Sequence, residues 1–182
     1  GTLTEGHPSV TAVVPADGVE VDEVLRLAAG VERASEHPLA LAVVEAAERV
    51  GLTIPAVTDF DSPVGRGVGG TVEGRHVVLG NAAFLEDEGI DVAALAHQAD
   101  DLRHDGATAI FVGVDDRAAG VLAIADPVKD TTPEALAALR RDGIEVVMLT
   151  GDNRTTAEAV GHRLGINEVE AEVLPDHKSA VV

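Results

Sequence analysis

Cysteine, tryptophan and tyrosine are all absent from this chain of 182 residues. Without cysteine the chain can form neither a disulfide nor a thiolate metal site, so packing and hydrogen bonds must stabilise its fold. No apolar run reaches the length that crosses a bilayer, and the first residues lack the basic and then apolar pattern of a signal sequence. We therefore expect a soluble chain.

Positive charge is also scarce. The 13 lysines and arginines face 32 aspartates and glutamates, which gives a net charge of -19, and Lys129 and Lys178 are the only lysines. Such a charge repels nucleic acid and anionic membrane surfaces, so we expect no nucleic-acid partner. The apolar content of 46% is enough for one substantial core or two modest ones.

Up to about residue 124, predicted strands and helices come in groups rather than in strict alternation. Alternating or β-branched apolar runs predict strands, and apolar residues three and four positions apart predict helices. The order suggests an α+β domain with an antiparallel sheet. The strands are expected at 9–14, 57–60, 68–72, 76–79, 109–114 and 118–124, and the helices at 21–33, 38–50, 82–87 and 92–103.

From Asp130 onward the pattern changes to helix, strand, helix. Helices are predicted at 133–141 and 154–164, with Gly143 and Gly165 closing them, and the apolar strand 146–149 lies between. A wholly apolar strand is typical of a parallel, doubly wound sheet, in which strands are buried on both faces. A domain boundary is expected near residues 122–128.

The tripeptide Thr150, Gly151 and Asp152 follows this strand and precedes a helix. At this edge of an α/β sheet, a hydroxyl, free N–H groups and the helix dipole can hold a phosphate. Lys178 follows about one βα unit later and could neutralise a transferring phosphoryl group. Taken alone, each motif also has a purely structural explanation. The Thr-Gly-Asp tripeptide can be a turn that caps a helix, and Lys178 can be a solvated lysine at the start of a helix.

In combination, three motifs are more specific. GTLTEG at 1–6, TGDN at 150–153 and LPDHK at 174–178, with a domain-sized insert, resemble the phosphorylation domain of P-type ATPases and the wider haloacid-dehalogenase-like superfamily. The resemblance implies a Rossmannoid α/β domain in which Thr150, Gly151, Asp152 and Lys178 serve phosphoryl transfer. It also places the nucleophilic aspartate just before Gly1, so we expect no hydrolysis by this fragment alone.

The insert resembles the nucleotide-binding domain of the heavy-metal class of these pumps. The motifs are SEHPLA at 35–40, GRGVGG at 65–70 and LGNAAFL at 79–85. Other pump classes use a lysine and aromatic residues around adenine, but residues 1–128 contain no lysine. The resemblance implies an incomplete phosphorylation domain (1–7 and 123–182) with an inserted α+β nucleotide-binding domain (8–122).

The resemblance implies a set of nucleotide contacts and a hinge residue: Glu32, His37, Gly65, Gly67, Gly80, Asn81 and Asp126. A carboxylate such as Glu32 can accept from the exocyclic amino group of adenine, an imidazole offers a flat face and a ring nitrogen, and glycines let a backbone approach phosphate. The alternatives are a surface acid for Glu32, a capping residue for His37 and hairpin turns for Gly65 and Gly67. Glu36 competes for the role of Glu32.

One departure concerns Ala82, where the family often has a basic residue. Any nucleotide contact that the family's basic residue makes is either absent here or supplied by Arg66 or Arg75. The three phenylalanines, Phe60, Phe84 and Phe111, are better explained as core residues than as an adenine platform.

The function implied is ATP hydrolysis through an aspartyl-phosphate, coupled to heavy-metal transport, with copper favoured by IADPVK at 124–129 and AEVLPDHK at 171–178. ATP and Mg²⁺ are the expected cofactors, with no metal ligands in this chain. The expected partners are ATP, ADP and the transmembrane and actuator domains of a parent protein in the plasma membrane, with this part in the cytoplasm. Two alternatives remain: a soluble phosphatase with residues 8–121 as its cap, and a non-catalytic nucleotide-sensing module.

Overall fold

The computed structural model describes residues 2–63, 65–151, 154–171 and 173. Its largest element is a six-stranded antiparallel sheet in the order β1-β6-β5-β4-β3-β2. The first strand therefore pairs with the last one, across more than a hundred residues of chain. The strands are β1 (Ser9–Pro15), β2 (Val57–Asp61), β3 (Gly67–Val72), β4 (Arg75–Gly80), β5 (Thr108–Val114) and β6 (Arg117–Ala125).

Helices cover both faces of this sheet. The strands alternate their side chains between two cores, as the period of two in a strand requires, so that Val112 lies in one core and Phe111 in the other. The first core is covered by α1 (Val21–Glu32) and α2 (Ala40–Arg49). The second is covered by α3 (Ala82–Asp87), a 3₁₀ turn (Ala93–Leu95) and α4 (Ala96–His104). We call residues 9–125 the sheet unit.

The remaining elements form a smaller unit, residues 128–171, which we call the α5–β8 unit. It contains α5 (Thr132–Arg141), β7 (Val147–Leu149), α6 (Arg154–Leu164) and β8 (Glu168–Glu170), with β7 and β8 parallel. Its core is a small cluster of Leu136, Leu164 and Ile166, against which Leu3, Val128, Val146, Met148 and Val160 pack.

Two predictions for these elements are wrong. The strand expected at 146–149 is not buried on both faces: Val147 is 41% exposed, because the small cluster packs on the Met148 side and the strand has β8 as its one neighbour within the described ranges. The helix expected from Pro38 begins at Ala40, since Pro38 lies in the preceding turn. Phe84 and Phe111 are core residues as expected, at 5% and 1% exposed.

Two segments of chain connect the two units. The residues before β1 run antiparallel to the residues after β6: Thr4 bridges Val128, and the Glu5 N–H donates to the Pro127 carbonyl at 2.9 Å. The Leu3 carbonyl accepts from the Thr132 hydroxyl at 2.7 Å. The first described residues are thus held by the α5–β8 unit, although they precede the sheet unit in the chain. No described helix has the length and apolarity to cross a membrane.

Candidate nucleotide site

Glu32 is a buried carboxyl group at the end of α1. Its side chain is only 5% exposed, and its Oε2 atom has no hydrogen-bond partner among the described residues. Burial raises the pKa of Glu32, and a hydrogen bond from Ser35 opposes that rise. The surface-acid alternative is therefore wrong for Glu32, whereas the competing Glu36 is exposed.

Ser35 connects Glu32 to His37, a role that the sequence motifs did not predict. The backbone N–H of Ser35 donates to the Glu32 carbonyl at 2.9 Å, and the His37 N–H donates to the Ser35 hydroxyl oxygen at 3.2 Å. The single hydroxyl hydrogen is then available to the Glu32 carboxyl group. A serine three residues after the acid and two before the histidine was the signal that could have revealed this link.

His37 lies in the turn between α1 and α2, with its side chain exposed. Its Nδ1 atom accepts a hydrogen bond from the Leu39 N–H at 3.2 Å. An Nδ1 that accepts leaves Nε2 to carry the hydrogen in a neutral ring. Nδ1 of His37 therefore has the capping role that was the alternative for this residue. Nε2 and the face of the ring remain available to a ligand.

The glycines divide into two kinds. Gly65 has a φ of +73° and lies in the turn before β3, where a left-handed backbone favours glycine. Gly67 and Gly80 face each other across β3 and β4, and a Cβ atom on either would lie within 2.5 Å of the Phe84 ring. Asn81 follows at once and caps α3, its side chain accepting from the Phe84 N–H at 2.9 Å. Gly67, Gly80 and Asn81 are therefore brought together around one aromatic ring.

The two arginines offered in place of a basic residue at Ala82 lie at opposite ends of this strand pair. The Arg66 carbonyl would lie 2.8 Å from a Cβ at Gly80, and the Arg66 side chain pairs with Asp87. Arg75, at the far end of β4, pairs with Glu23 and with Asp115 at 3.3 Å. Arg66 is thus the one of the two that lies beside the glycine turn.

Asp126 lies where the chain crosses between the units. Its carboxylate accepts from the N–H groups of Gly6 at 2.9 Å and His7 at 3.1 Å. Burial would raise the pKa of this carboxyl, but hydrogen bonds from the Thr4 hydroxyl and from these two N–H groups lower it below its ordinary value. The structure thus places Asp126 as a clamp on the segment that precedes β1.

Thr150 and Gly151 directly follow β7 in the α5–β8 unit. The Thr150 N–H donates to the Glu170 carbonyl at 3.0 Å, and the Thr150 carbonyl accepts from the Val173 N–H at 3.0 Å. The threonine backbone therefore continues the pairing of β7, and Gly151 is exposed beyond it. Asp152 and Lys178 lie outside the described residues.

A cavity of about 510 Å³ lies elsewhere on the sheet unit. It is lined by α1, the turn after β1 and the β5–β6 hairpin, with Glu23, Arg75 and Asp115 among its charged residues, and it contains none of the predicted site residues. Over the ranges that the structure describes, no three His, Asp or Glu side chains are grouped as a metal site. The described residues alone therefore do not fit an Mg²⁺ ion held by protein ligands.

Comparison with known families and proteins decides the superfamily. The profile of the haloacid dehalogenase-like hydrolases matches residues 1–182, the whole chain. The chain belongs to this family. In the chain, the sheet unit lies between the first described residues, among them Leu3 and Thr4, and the α5–β8 unit that these residues contact.

Within the family, similar proteins are metal-transporting P-type ATPases. The chain is 52% identical to a silver exporting P-type ATPase of Salmonella typhimurium and 50% identical to a copper-exporting P-type ATPase of Legionella pneumophila, in each case over 182 residues. Each match covers the whole of this chain but only 22% and 25%, respectively, of the length of those proteins. The crystal structure of a zinc-transporting PIB-type ATPase in its E2.Pi state matches all of this chain and 29% of its own, with a TM-score of 0.76 and 36% identity.

Proposed function

We propose that this chain is the ATP-binding catalytic part of a heavy-metal-exporting P-type ATPase. The sheet unit binds ATP, and the α5–β8 unit supplies part of the phosphoryl-transfer site. The whole-chain similarity to silver and copper exporters supports the class of pump, and copper and silver are the metals that we propose for the parent protein.

A single observation carries the nucleotide site: the unpartnered Oε2 atom of the buried Glu32. A buried carboxyl oxygen without a hydrogen bond costs about 1–3 kcal/mol, so such groups call for a partner. The exocyclic amino group of adenine is a donor of the right kind. We assign Glu32 to that amino group and the ring of His37 to the adenine face, with Ser35 holding both.

The phosphate end of the nucleotide is assigned to the glycine turn and strand ends. Gly65 has open space where a side chain would stand, which lets a phosphate approach the backbone N–H groups of this turn. Gly67 and Gly80 make room for the Phe84 ring, so that Phe84 and Asn81 pack close to the turn. Mg²⁺ would be supplied with the nucleotide and would neutralise charge on its phosphates.

For phosphoryl transfer we assign Thr150 and Gly151 to the transferring group, Asp152 to the organisation of the nucleotide and hinge, and Lys178 to charge stabilisation in the transition state. Asp126 acts as the hinge residue between the nucleotide-binding residues 8–122 and the phosphorylation residues 1–7 and 123–182. Its clamp on Gly6 and His7 supports this division of the chain. In the parent pump these units work with transmembrane and actuator domains, on the cytoplasmic side of the plasma membrane.

Calorimetric titration with ATP, with and without Mg²⁺, tests the proposal. We expect binding between about 1 μM and 1 mM in the unmodified chain, which corresponds to roughly 4–8 kcal/mol. His37→Ala should weaken it at least about tenfold, which is a loss near 1.4 kcal/mol. The matched control is His97→Ala, because the His97 side chain is 87% exposed on α4.

Two outcomes would contradict the proposal. If ATP does not bind, the chain is not a nucleotide-binding unit, and a phosphatase with a cap domain becomes the better hypothesis. If His37→Ala and His97→Ala bind ATP equally, the adenine site lies elsewhere in the chain.

A further inference from the structure

The turn between α4 and β5 packs against α6 in the other unit. The Thr156 hydroxyl on α6 donates to the Ala107 carbonyl at 2.8 Å, and Thr156 is only 4% exposed. Arg163, two turns further along α6, donates through its guanidinium to the Asp105 carbonyl. We call the contact of residues 105–107 with Thr156, Val160 and Arg163 the α6 contact.

Gly106 makes this close approach possible. It has a φ of +84°, and a Cβ atom there would lie 3.2 Å from the Arg163 side chain and 3.3 Å from Val160. A side chain at this position would be strained in its backbone and tight against α6. The turn thus presents bare backbone carbonyls to α6, and each of two α6 side chains donates to one of them.

We propose that the α6 contact is a strut that fixes the position of the sheet unit relative to the α5–β8 unit. The two segments that cross near Asp126 join the units at one place and would by themselves allow rotation about that place. The α6 contact supplies a second point of attachment, which restricts that rotation. In the terms of the proposed function, on which this role rests, the strut sets where bound nucleotide stands relative to Thr150.

The position of the strut favours this role. Helix α6 begins at Arg154, four residues after Thr150, so the strut bears on the helix that follows the phosphoryl-site segment. An open cleft of about 480 Å³ lies beside the contact, lined by His104, Thr155, Glu158, Ala159, His162 and Arg163. The cleft bounds the contact on one side, and no apolar cluster of described residues is continuous between the two units.

Distance measurements between spin labels test the strut directly, and the absence of cysteine allows labels at two chosen positions. Glu48 on α2 and Ala137 on α5 are exposed, so each accepts a cysteine without loss of packing. In this double-cysteine protein we expect a single narrow distance. Thr156→Val removes the hydroxyl but keeps the shape of the side chain, and we expect the narrow distance to be lost. Thr155→Val, one residue earlier on the same helix, is the matched control and should preserve it.

Arg163→Ala provides a second variant at an exposed position, in case Thr156→Val lowers stability; circular dichroism establishes that each variant is folded. If the distance distributions of both variants superimpose on that of the unmodified pair, the strut proposal is wrong. ATP affinity should remain within about twofold in all variants, because the candidate nucleotide residues lie on the sheet unit and gain nothing from the contact. Absence of ATP binding would overturn the proposed function. The distance between the labels tests the strut independently of that result.

Discussion

The sheet unit and the α5–β8 unit differ in the size of their apolar cores. The sheet unit has a core on each face of a six-stranded sheet. The α5–β8 unit has one cluster with three buried residues and takes Leu3 from the other end of the chain. The adenine-binding candidates thus lie on a well-packed unit, and the phosphoryl candidates lie on a thinly packed one.

The largest effect is expected in the cores of the sheet unit. Phe111 on β5 is 1% exposed, and Phe111→Ala should cost about 3–5 kcal/mol, because a large cavity forms in a close-packed core. Urea unfolding followed by circular dichroism measures the loss, and ATP binding should disappear with the fold. A loss below about 1 kcal/mol would mean that this core is far less tightly packed than its burial indicates.

A smaller and more local effect is expected in the other unit. Leu136→Ala removes the centre of the three-residue cluster, and we expect a loss of about 2–4 kcal/mol. Amide resonances of the α5–β8 unit should broaden or vanish, while those of the sheet unit and its ATP affinity persist. If ATP binding is lost as well, the two units do not differ in the way that their cores indicate.

Glu32→Met should separate stability from binding. Methionine has a similar length and no polar atom, so the variant removes the buried, unpartnered oxygen, and the free energy of unfolding should rise by about 1 kcal/mol. ATP affinity should fall, since the proposed acceptor for the amino group is gone. The exposed Glu36 gives the control: Glu36→Met should change stability by less than about 0.5 kcal/mol and leave binding intact. A Glu32→Met protein that binds ATP normally would refute the assignment.

The smallest effect concerns pH, and the two carboxyl groups should act with opposite sign. The pKa of Asp126 is lowered in the folded chain, so its contribution to stability is present above the unfolded value, near 3.9, and is lost as pH falls through the folded pKa. The pKa of Glu32 is raised, so its ionisation destabilises the fold as pH rises above its unfolded value.

Urea unfolding from pH 2 to pH 7 tests the sign for Asp126. Asp126→Asn should lose stability relative to the unmodified chain at neutral pH, and the difference should shrink below about pH 4. Asp116→Asn is the control, since Asp116 is 90% exposed on the β5–β6 hairpin. A difference for Asp126→Asn that does not change with pH would rule out the carboxylate clamp as its cause.

Local patterns in the sequence predicted most elements to within one or two residues. Helix α1 was expected at 21–33 and spans Val21–Glu32, because its apolar residues recur at helical spacing. Helix α6 spans 154–164 as expected, and Gly165, with a φ of +69°, closes it. The family was also evident from sequence, through motifs whose order and spacing are specific.

Features that depend on contacts between distant parts of the chain could not be predicted from local sequence patterns. Nothing in the sequence around Glu32 revealed that its carboxyl group would be buried, because that burial depends on how α1 packs on the sheet. The pairing of β1 with β6 and the bond from Thr156 to Ala107 join residues that are far apart in the chain. Helical and strand periodicity report which face of an element is apolar, and they do not report what that face meets.

Amide chemical shifts recorded during an ATP titration locate the bound nucleotide residue by residue. We expect the largest shifts at Glu32, Ser35, His37, Gly67 and Gly80, with little change around Arg75 and Asp115. Shifts concentrated instead around the 510 Å³ cavity that Glu23, Arg75 and Asp115 line would contradict the proposed site, and would place the nucleotide at the other end of β4.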